Sequence, residues 1–267
     1  MNKIIGIISI KGGVGKTSAV TALGASLAND YSKKVLIVDG NFSSPNLGLH
    51  IGFVNPEVTL HHVLDGKADI KNAVYETGYG FDILPGALNY QKINPLRFAE
   101  KIRDLRRKYD VILIDSSPNL NEEVLASMMA SDELIVVTTP DIVTLATTLR
   151  AVKIAKERKT PIIGLILNKV YNKKFELSID DIERASGCVV MAVLPHETQV
   201  LEALSKSLPS TMHKKTKSTK EYKKLAAVIA GEKHKEGRVK SFFKKLFKKR
   251  IEKQDINRTI LNSSRSK

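Results

Sequence analysis

A glycine-rich segment near the start of the chain constrains the fold more than any other feature. It reads Lys11-Gly-Gly-Val-Gly-Lys-Thr17 and stands between an apolar run, Lys3–Ser9, and a helix-like stretch, Thr17–Asn29. Glycines let successive backbone N–H groups converge on a phosphate without Cβ clashes, and the helix that follows adds the positive end of its dipole. The segment therefore predicts a strand–loop–helix unit that binds phosphate groups. Its predicted binding residues are Gly12, Gly13, Val14, Gly15, Lys16, Thr17 and Ser18.

The body of the chain alternates short apolar runs with helical patterns. Continuous apolar runs are typical of parallel strands, because helices bury both of their faces. Runs that alternate with helices indicate βαβ units. We therefore predict an α/β fold: a doubly wound, mainly parallel sheet with helices on both faces. The further strand-like runs are Val35–Val38, Phe81–Leu84, Val111–Ile114, Glu133–Val137, Pro161–Leu167 and Cys188–Leu194.

Composition removes several classes of protein. The single cysteine, Cys188, excludes an intrachain disulfide framework and any cysteine-based zinc or iron–sulfur site within one chain. No apolar run reaches the roughly 18–20 residues of a membrane-spanning helix, and the first residues lack the pattern of a secretory signal. We therefore expect a cytoplasmic protein.

The glycine-rich loop departs from the strict P-loop pattern G-x-x-x-x-G-K-[ST], because Ile10 stands where that pattern has glycine. What remains, K-G-G-x-G-K-T after a strand, is the deviant Walker A motif. In it, Lys16 is expected to contact the β and γ phosphates, and the Thr17 hydroxyl to ligate Mg²⁺.

With this motif, the chain over residues 1–230 resembles the MinD/ParA group of deviant Walker A ATPases, and within it the archaeal MinD-like proteins. The resemblance implies a P-loop ATPase domain that binds ATP and Mg²⁺ and forms a homodimer with two ATP molecules at the interface. It also implies that Lys11 reaches the phosphates bound by the partner. A second cation there would stabilise the charge that develops in the transition state.

Two carboxylates match the family's metal site, and one position departs from it. Asp39 follows the second strand and Asp115 ends the strand Val111–Ile114, so both are expected near Mg²⁺ at the ligand edge of the sheet. The family often has a second Asp, which helps to orient the attacking water, where this chain has Asn41. An amide can hold a water but cannot accept its proton. We therefore predict slow hydrolysis with Lys11, Lys16, Asp39 and Asn41 as the catalytic set, and negligible turnover is the alternative.

Recognition of the adenine base is predicted at the ends of the last two strand-like runs of the chain. The resemblance implies that Asn168 pairs with the adenine edge, since an amide offers both a donor and an acceptor. The loop after the last strand-like run, Pro195, His196 and Glu197, resembles the family segment that lines the base.

The tail is basic and amphipathic. Residues 231–267 hold 13 of the 43 Lys and Arg side chains but only 4 of the 28 Asp and Glu. Apolar residues recur at helical spacing, which predicts an amphipathic helix over 238–253, joined by a flexible linker, 231–237, and followed by a disordered tail, 254–267. Such a helix lies in a membrane interface, and MinD proteins end in a similar membrane-targeting helix. The predicted membrane-binding residues are Val239, Phe242, Phe243, Leu246, Phe247 and Ile251.

Together these features predict an ATP-dependent dimer that binds an anionic membrane surface as a peripheral protein on the inner face of the cell membrane. It would position cellular machinery, with an unidentified regulatory or cargo protein as partner. Two alternatives remain: a nucleotide-gated scaffold with negligible turnover, and a ParA-type ATPase that partitions DNA. The candidate DNA-binding patch is Lys214, Lys215, Lys217, Lys220, Lys223 and Lys224.

Overall fold

The computed structural model describes residues 2–90, 93–232 and 252–265. Strands β1–β8 are Lys3–Ile8, Val35–Gly40, Tyr75–Glu76, Asp82–Leu84, Val111–Ser116, Glu133–Thr138, Ile162–Val170 and Val190–Pro195. Helices α1–α10 are Lys16–Tyr31, Leu47–His50, Leu60–Leu64, Phe98–Leu105, Glu122–Ala130, Ile142–Glu157, Ile179–Ser186, Thr198–Ser205, Lys217–Ala230 and Lys253–Arg265.

The eight strands form one sheet in the order β3-β4-β2-β5-β1-β6-β7-β8, and β3–β4 is its antiparallel pair. Alternate residues of β1 pack into hydrophobic clusters on opposite faces of the sheet. Ile5 and Ile7 pack into the core that α1 and α9 cover, whereas Ile4 and Ile8 belong to the cores on the opposite face. Burial on both faces explains the continuous apolar runs and confirms the predicted doubly wound fold.

The direction in which the chain adds strands to the sheet reverses at β1. The connection after β1 leads to β2 on one side, and the connection after β6 leads to β7 on the other. In open α/β sheets, the crevice at such a switch point, beyond the carboxyl ends of the strands, is the usual ligand site. The glycine-rich loop follows β1 and therefore lies at this crevice.

The C-terminal part of the chain differs from the prediction. The predicted disordered tail, 254–267, is wrong over most of its length, because Lys253–Arg265 forms helix α10. This helix packs Leu261 against the core, but its buried contacts with the sheet are made by polar side chains. Asn257 and Arg258 are buried and donate hydrogen bonds to the carbonyl oxygens of Val190 and Met191 in the edge strand β8. A helix of this length is marginal in water and needs such tertiary contacts, which an apolar pattern does not reveal.

The predicted membrane-binding side chains, Val239 to Ile251, lie outside the described residues. Within the residues that are described, no helix has both the length and the apolar character required to cross a bilayer.

Candidate nucleotide-binding site

The loop between β1 and α1 has the backbone of a phosphate-binding loop. Gly13 and Gly15 adopt φ of 75° and 95°, in the left-handed region where a side chain would be strained. Helix α1 begins after Gly15 without a side-chain cap, so the N–H groups of its first turn keep their hydrogen-bonding capacity for an anion. Lys16 is buried, and this burial lowers its pKa, although the negative charge of Asp115 acts in the other direction and raises it.

The two predicted metal-site carboxylates lie side by side. The parallel register of β2 and β5 pairs Asp39 with Asp115, and both are buried. Burial, with the added charge of Asp115, raises the pKa of Asp39 to about 8. Burial also raises the pKa of Asp115 to about 6, although the neighbouring Thr17 hydroxyl and the charge of Lys16 favour its ionised form. The raised pKa values mean that the doubly ionised carboxylate pair is unfavourable in this pocket with Lys16 as its neighbouring cation.

The chemistry of this pocket fits Mg²⁺ bound together with a polyphosphate. Among the described residues, Asp115 Oδ1 is buried and has no hydrogen-bond partner. The described chain has no cluster of three or more His, Cys, Asp or Glu side chains that could hold a metal. Mg²⁺ commonly takes one or two carboxylates and completes its shell with waters and substrate phosphates. Thr17 and Asp115, with Asp39 beside them, are the residues that would hold it.

Asp39 also organises the loop that follows β2. Its carboxylate accepts hydrogen bonds from the backbone N–H groups of Asn41, Asn46 and Leu47, each at 3.1 Å. Asn46 in turn accepts a hydrogen bond from the Thr17 hydroxyl at 3.2 Å. The carboxylate thus connects this loop to the phosphate-binding helix.

Asn41 is buried in the same loop. Its Nδ2 donates to the carbonyl oxygen of Ser44 at 2.5 Å, whereas its Oδ1 is buried with no partner among the described residues. The unpaired oxygen is an acceptor that a water molecule can satisfy. The predicted water-orienting role of Asn41 is compatible with this geometry and stays a prediction.

Lys11 contacts residues at the start of helix α6 rather than Asp39 or Asp115. Its Nζ donates to Thr144 Oγ1 at 2.6 Å and lies 3.5 Å from Asp141 Oδ1. Burial works against ionisation of Asp141, yet hydrogen bonds from Thr139 and Thr144 and the charge of Lys11 lower its pKa to about 2. Asp141 and Thr144 were not among the predicted site residues. The available sequence signal was an Asp directly before a helical run, which is typical of a helix cap; in the structure Asp141 accepts a hydrogen bond from the Thr144 N–H at 2.8 Å.

The surface next to Lys11 is apolar. Ile142 and Val143, the first two residues of α6, are 73% and 66% exposed. The Lys11 side chain itself is 37% exposed. A partly exposed cation beside exposed apolar side chains therefore borders the nucleotide site.

Two of the residues predicted to line the base, His196 and Glu197, are held by contacts within the protein. The His196 ring stacks on Tyr171 with centroids 4.7 Å apart, and its backbone N–H bonds to the Val170 carbonyl. Glu197 accepts hydrogen bonds from the N–H groups of Lys217 and Ser218, both at 3.0 Å, and so caps α9.

Two other predicted base contacts have partners inside the protein. Pro195 offers its carbonyl oxygen to the Ser218 hydroxyl at 3.1 Å. Asn168 donates from Nδ2 to the carbonyl oxygen of Val14 in the phosphate-binding loop at 2.7 Å. The contacts of these residues with a base stay predictions.

Comparisons with known proteins agree with this geometry. A family model described as an AAA domain, AAA_31, matches residues 2–164. An uncharacterized ATP-binding protein of Methanocaldococcus jannaschii is 32% identical over 257 residues, which cover 92% of this chain and 97% of the relative. The cell division ATPase MinD of Pyrococcus furiosus has a TM-score of 0.81 at 33% identity, covering 85% of this chain and 97% of that structure.

The chain belongs to the MinD/ParA family of P-loop ATPases. A second MinD structure, from Pyrococcus horikoshii, has the same TM-score and identity, covers 85% of this chain and 95% of its own, and was solved as a complex with Mg-ADP. As a MinD/ParA protein, this chain has an ATP-binding P-loop fold. Binding of Mg²⁺ by Thr17, Asp39 and Asp115 stays a prediction.

Proposed function

We propose that this chain is a MinD-like ATPase that dimerises when it binds ATP, attaches to an anionic membrane surface and positions cellular machinery. Slow hydrolysis of ATP ends the bound state. The observation that carries the proposal is the position of Lys11. This second lysine of the loop borders the nucleotide site, is partly exposed and is held by Asp141 and Thr144 on α6.

The residues of one chain bind and orient the nucleotide. Lys16 and the loop N–H groups contact the phosphates, and the Thr17 and Asp115 oxygens hold Mg²⁺, which neutralises phosphate charge when it is bound. Asn41 orients the attacking water through its unpaired Oδ1. Because Asn41 cannot accept the proton of that water, hydrolysis is slow.

A second copy completes the site. Lys11 leaves Thr144 and Asp141 and contacts the phosphates bound by its partner, where a second cation stabilises the developing charge. The ion pair that it leaves is partly exposed and costs little to break. Ile142 and Val143 lose their exposed apolar surface in the same interface, which contributes to dimer stability.

Membrane attachment rests on the sequence of residues 238–253. A short helix with Phe and Leu on one face and Lys on the other lies in the bilayer interface, and each basic residue near an anionic surface adds about 1 kcal/mol. One such anchor binds weakly and reversibly, whereas two anchors in a dimer gain from effective concentration. ATP therefore controls attachment to the inner face of the cell membrane through dimerisation, and an unidentified partner protein is the regulator or cargo.

The DNA-partition alternative has less support. In the described part of the chain, three of the six lysines in its candidate patch lie beside carboxylates: Lys214 beside Glu202, Lys223 beside Asp30 and Lys224 beside Glu221. These carboxylates reduce the net positive charge of the patch and would repel the DNA phosphates. The scaffold alternative depends on Asn41 and predicts binding of ATP with negligible turnover.

Flotation with anionic liposomes tests the proposal, in the presence of ADP or of a non-hydrolysable ATP analogue. A truncation before residue 238 would also remove α10, so point variants are the better choice. We expect the full chain to float with the ATP analogue and to float less with ADP. The double variant Phe243→Ser/Phe247→Ser should stay down in both, whereas Ile260→Ser on the 62% exposed outer side of α10 should behave as wild type. Wild-type protein that stays down with both nucleotides would contradict membrane attachment.

A further inference from the structure

The end of β7 has an irregular backbone at Asn168. The pairing of β7 with β8 shifts register between Leu167 and Val170, and Lys169 adopts a φ of 55°, which is uncommon for a residue with a side chain. Asn168 Oδ1 accepts a hydrogen bond from the Lys169 N–H at 2.9 Å and supports this turn. Bulges of this kind re-aim a side chain near a functional site. Here the bulge accompanies an Asn168 side chain that reaches the phosphate-binding loop.

The contact with the loop is close. Asn168 Nδ2 donates to the carbonyl oxygen of Val14 at 2.7 Å, across 154 residues of sequence. A Cβ built on Gly15 would overlap the same Nδ2 atom. Glycine at position 15 is therefore required twice, for its φ of 95° and for the approach of the Asn168 amide.

This contact fixes more than one carbonyl. In a trans peptide the C=O and the following N–H lie on opposite sides of the bond. Holding the Val14 oxygen towards Asn168 therefore turns the Gly15 N–H away from Asn168. The Val14 side chain is buried in the core beneath α1, so the peptide is held from two directions. The orientation of such N–H groups determines how well a loop of this kind binds phosphate.

We propose that Asn168 is a positioning residue that holds the phosphate-binding loop in its binding conformation through the Val14 carbonyl. Asn168 then affects the affinity for the phosphate chain as well as any contact with adenine. The inference rests on the proposed binding of ATP and adds a role at the same site.

Ligands with and without a base separate the two roles. Binding of inorganic tripolyphosphate and of ATP, each with Mg²⁺, is measured by calorimetry for wild type, Asn168→Ala and His196→Ala. Loss of one neutral hydrogen bond predicts that Asn168→Ala weakens both ligands by about five- to tenfold. His196→Ala, in the predicted base loop, should weaken ATP alone. If Asn168→Ala weakens ATP and leaves tripolyphosphate unchanged, Asn168 reads only the base and the proposal is overturned.

A second readout needs no ligand. Hydrogen exchange of the Ala19 amide, which donates to the Gly15 carbonyl oxygen of the loop at 3.0 Å, is compared between nucleotide-free wild type and Asn168→Asp, whose carboxylate has the same shape but cannot donate to Val14. We expect exchange of this amide to be about tenfold faster in the variant, because the Val14–Gly15 peptide loses the hydrogen bond that restrains it. Unchanged exchange overturns the proposal. If wild type binds neither ATP nor tripolyphosphate, the proposed function fails, and the exchange result still decides the role of Asn168.

Discussion

Asp115 is expected to destabilise the protein when no metal is bound, so the substitution Asp115→Asn should make the metal-free protein more stable. Burial raises the pKa of Asp115 from its usual 3.8 to about 6, although Thr17 and Lys16 favour the ionised form. Each pKa unit corresponds to about 1.4 kcal/mol, so ionised Asp115 costs the folded state about 3 kcal/mol at neutral pH. An amide at this position has no charge to desolvate. We therefore expect Asp115→Asn to raise the free energy of unfolding by about 2–3 kcal/mol at pH 7.5.

The sign of the pH dependence follows from the raised pKa. The folded state favours the protonated carboxyl, so the penalty is absent well below pH 3.8, grows between pH 3.8 and about 6, and is constant above. At pH 5 the gain from Asp115→Asn should be about half of its value at pH 7.5. The variant also gains stability at Asp39, because Asp115→Asn removes the charge that helps to raise the pKa of Asp39.

Urea denaturation in EDTA at pH 7.5 and pH 5 measures these differences. Asp104→Asn, which replaces an exposed carboxylate on α4, is the matched control and should change the unfolding free energy by less than about 0.5 kcal/mol. With Mg²⁺ and ADP the order should reverse, because wild type gains stability from metal binding and the variant gains less. An Asp115→Asn protein that is no more stable than wild type in EDTA at pH 7.5 would show that ionised Asp115 does not destabilise the folded state.

Three further predictions concern other contacts. Lys11→Ala should change the free energy of unfolding by less than about 0.5 kcal/mol, because its ion pair with Asp141 is partly exposed. The same variant should lower ATP turnover at least tenfold, which corresponds to about 1.4 kcal/mol. An assay of turnover against protein concentration measures this loss. Arg258→Ala removes the hydrogen bond to the Met191 carbonyl and one of the two described ion pairs of Glu221, which keeps Lys224, so α10 should lose about 2 kcal/mol of local stability. Faster hydrogen exchange in that helix is the expected readout, and unchanged exchange would contradict the prediction. Asn41→Asp should raise turnover if proton acceptance at this position limits hydrolysis, and equal single-turnover rates would show that another step is limiting.

The sequence was sufficient to predict the carboxylate pair. Asp39 and Asp115 each end an apolar run, and strand ends of a parallel sheet meet at one edge. The phosphate-binding loop was predictable for a similar reason, because its glycines, lysine and following helix are contiguous in the chain. Local pattern and sheet geometry together fix such features before any tertiary contact is known.

Contacts that join distant parts of the chain were not predictable. Thr144 lies 133 residues from Lys11, and the approach of Asn168 to Val14 depends on a register shift that no residue pattern announces. Helix α10 was missed because Asn257 and Arg258, which dock it, are polar and give no apolar periodicity. Their burial depends on carbonyl oxygens that the edge strand β8 presents only in the folded protein.

In the proposed cycle, ATP closes a dimer in which Lys11 completes the partner's site. Light scattering gives the mass of the full chain in solution with Mg²⁺ and either ADP or a non-hydrolysable ATP analogue. We expect wild type to have the monomer mass with ADP and twice that mass with the analogue, and Lys11→Ala to have the monomer mass in both. A wild-type protein with the same mass in both nucleotides would contradict the proposed cycle.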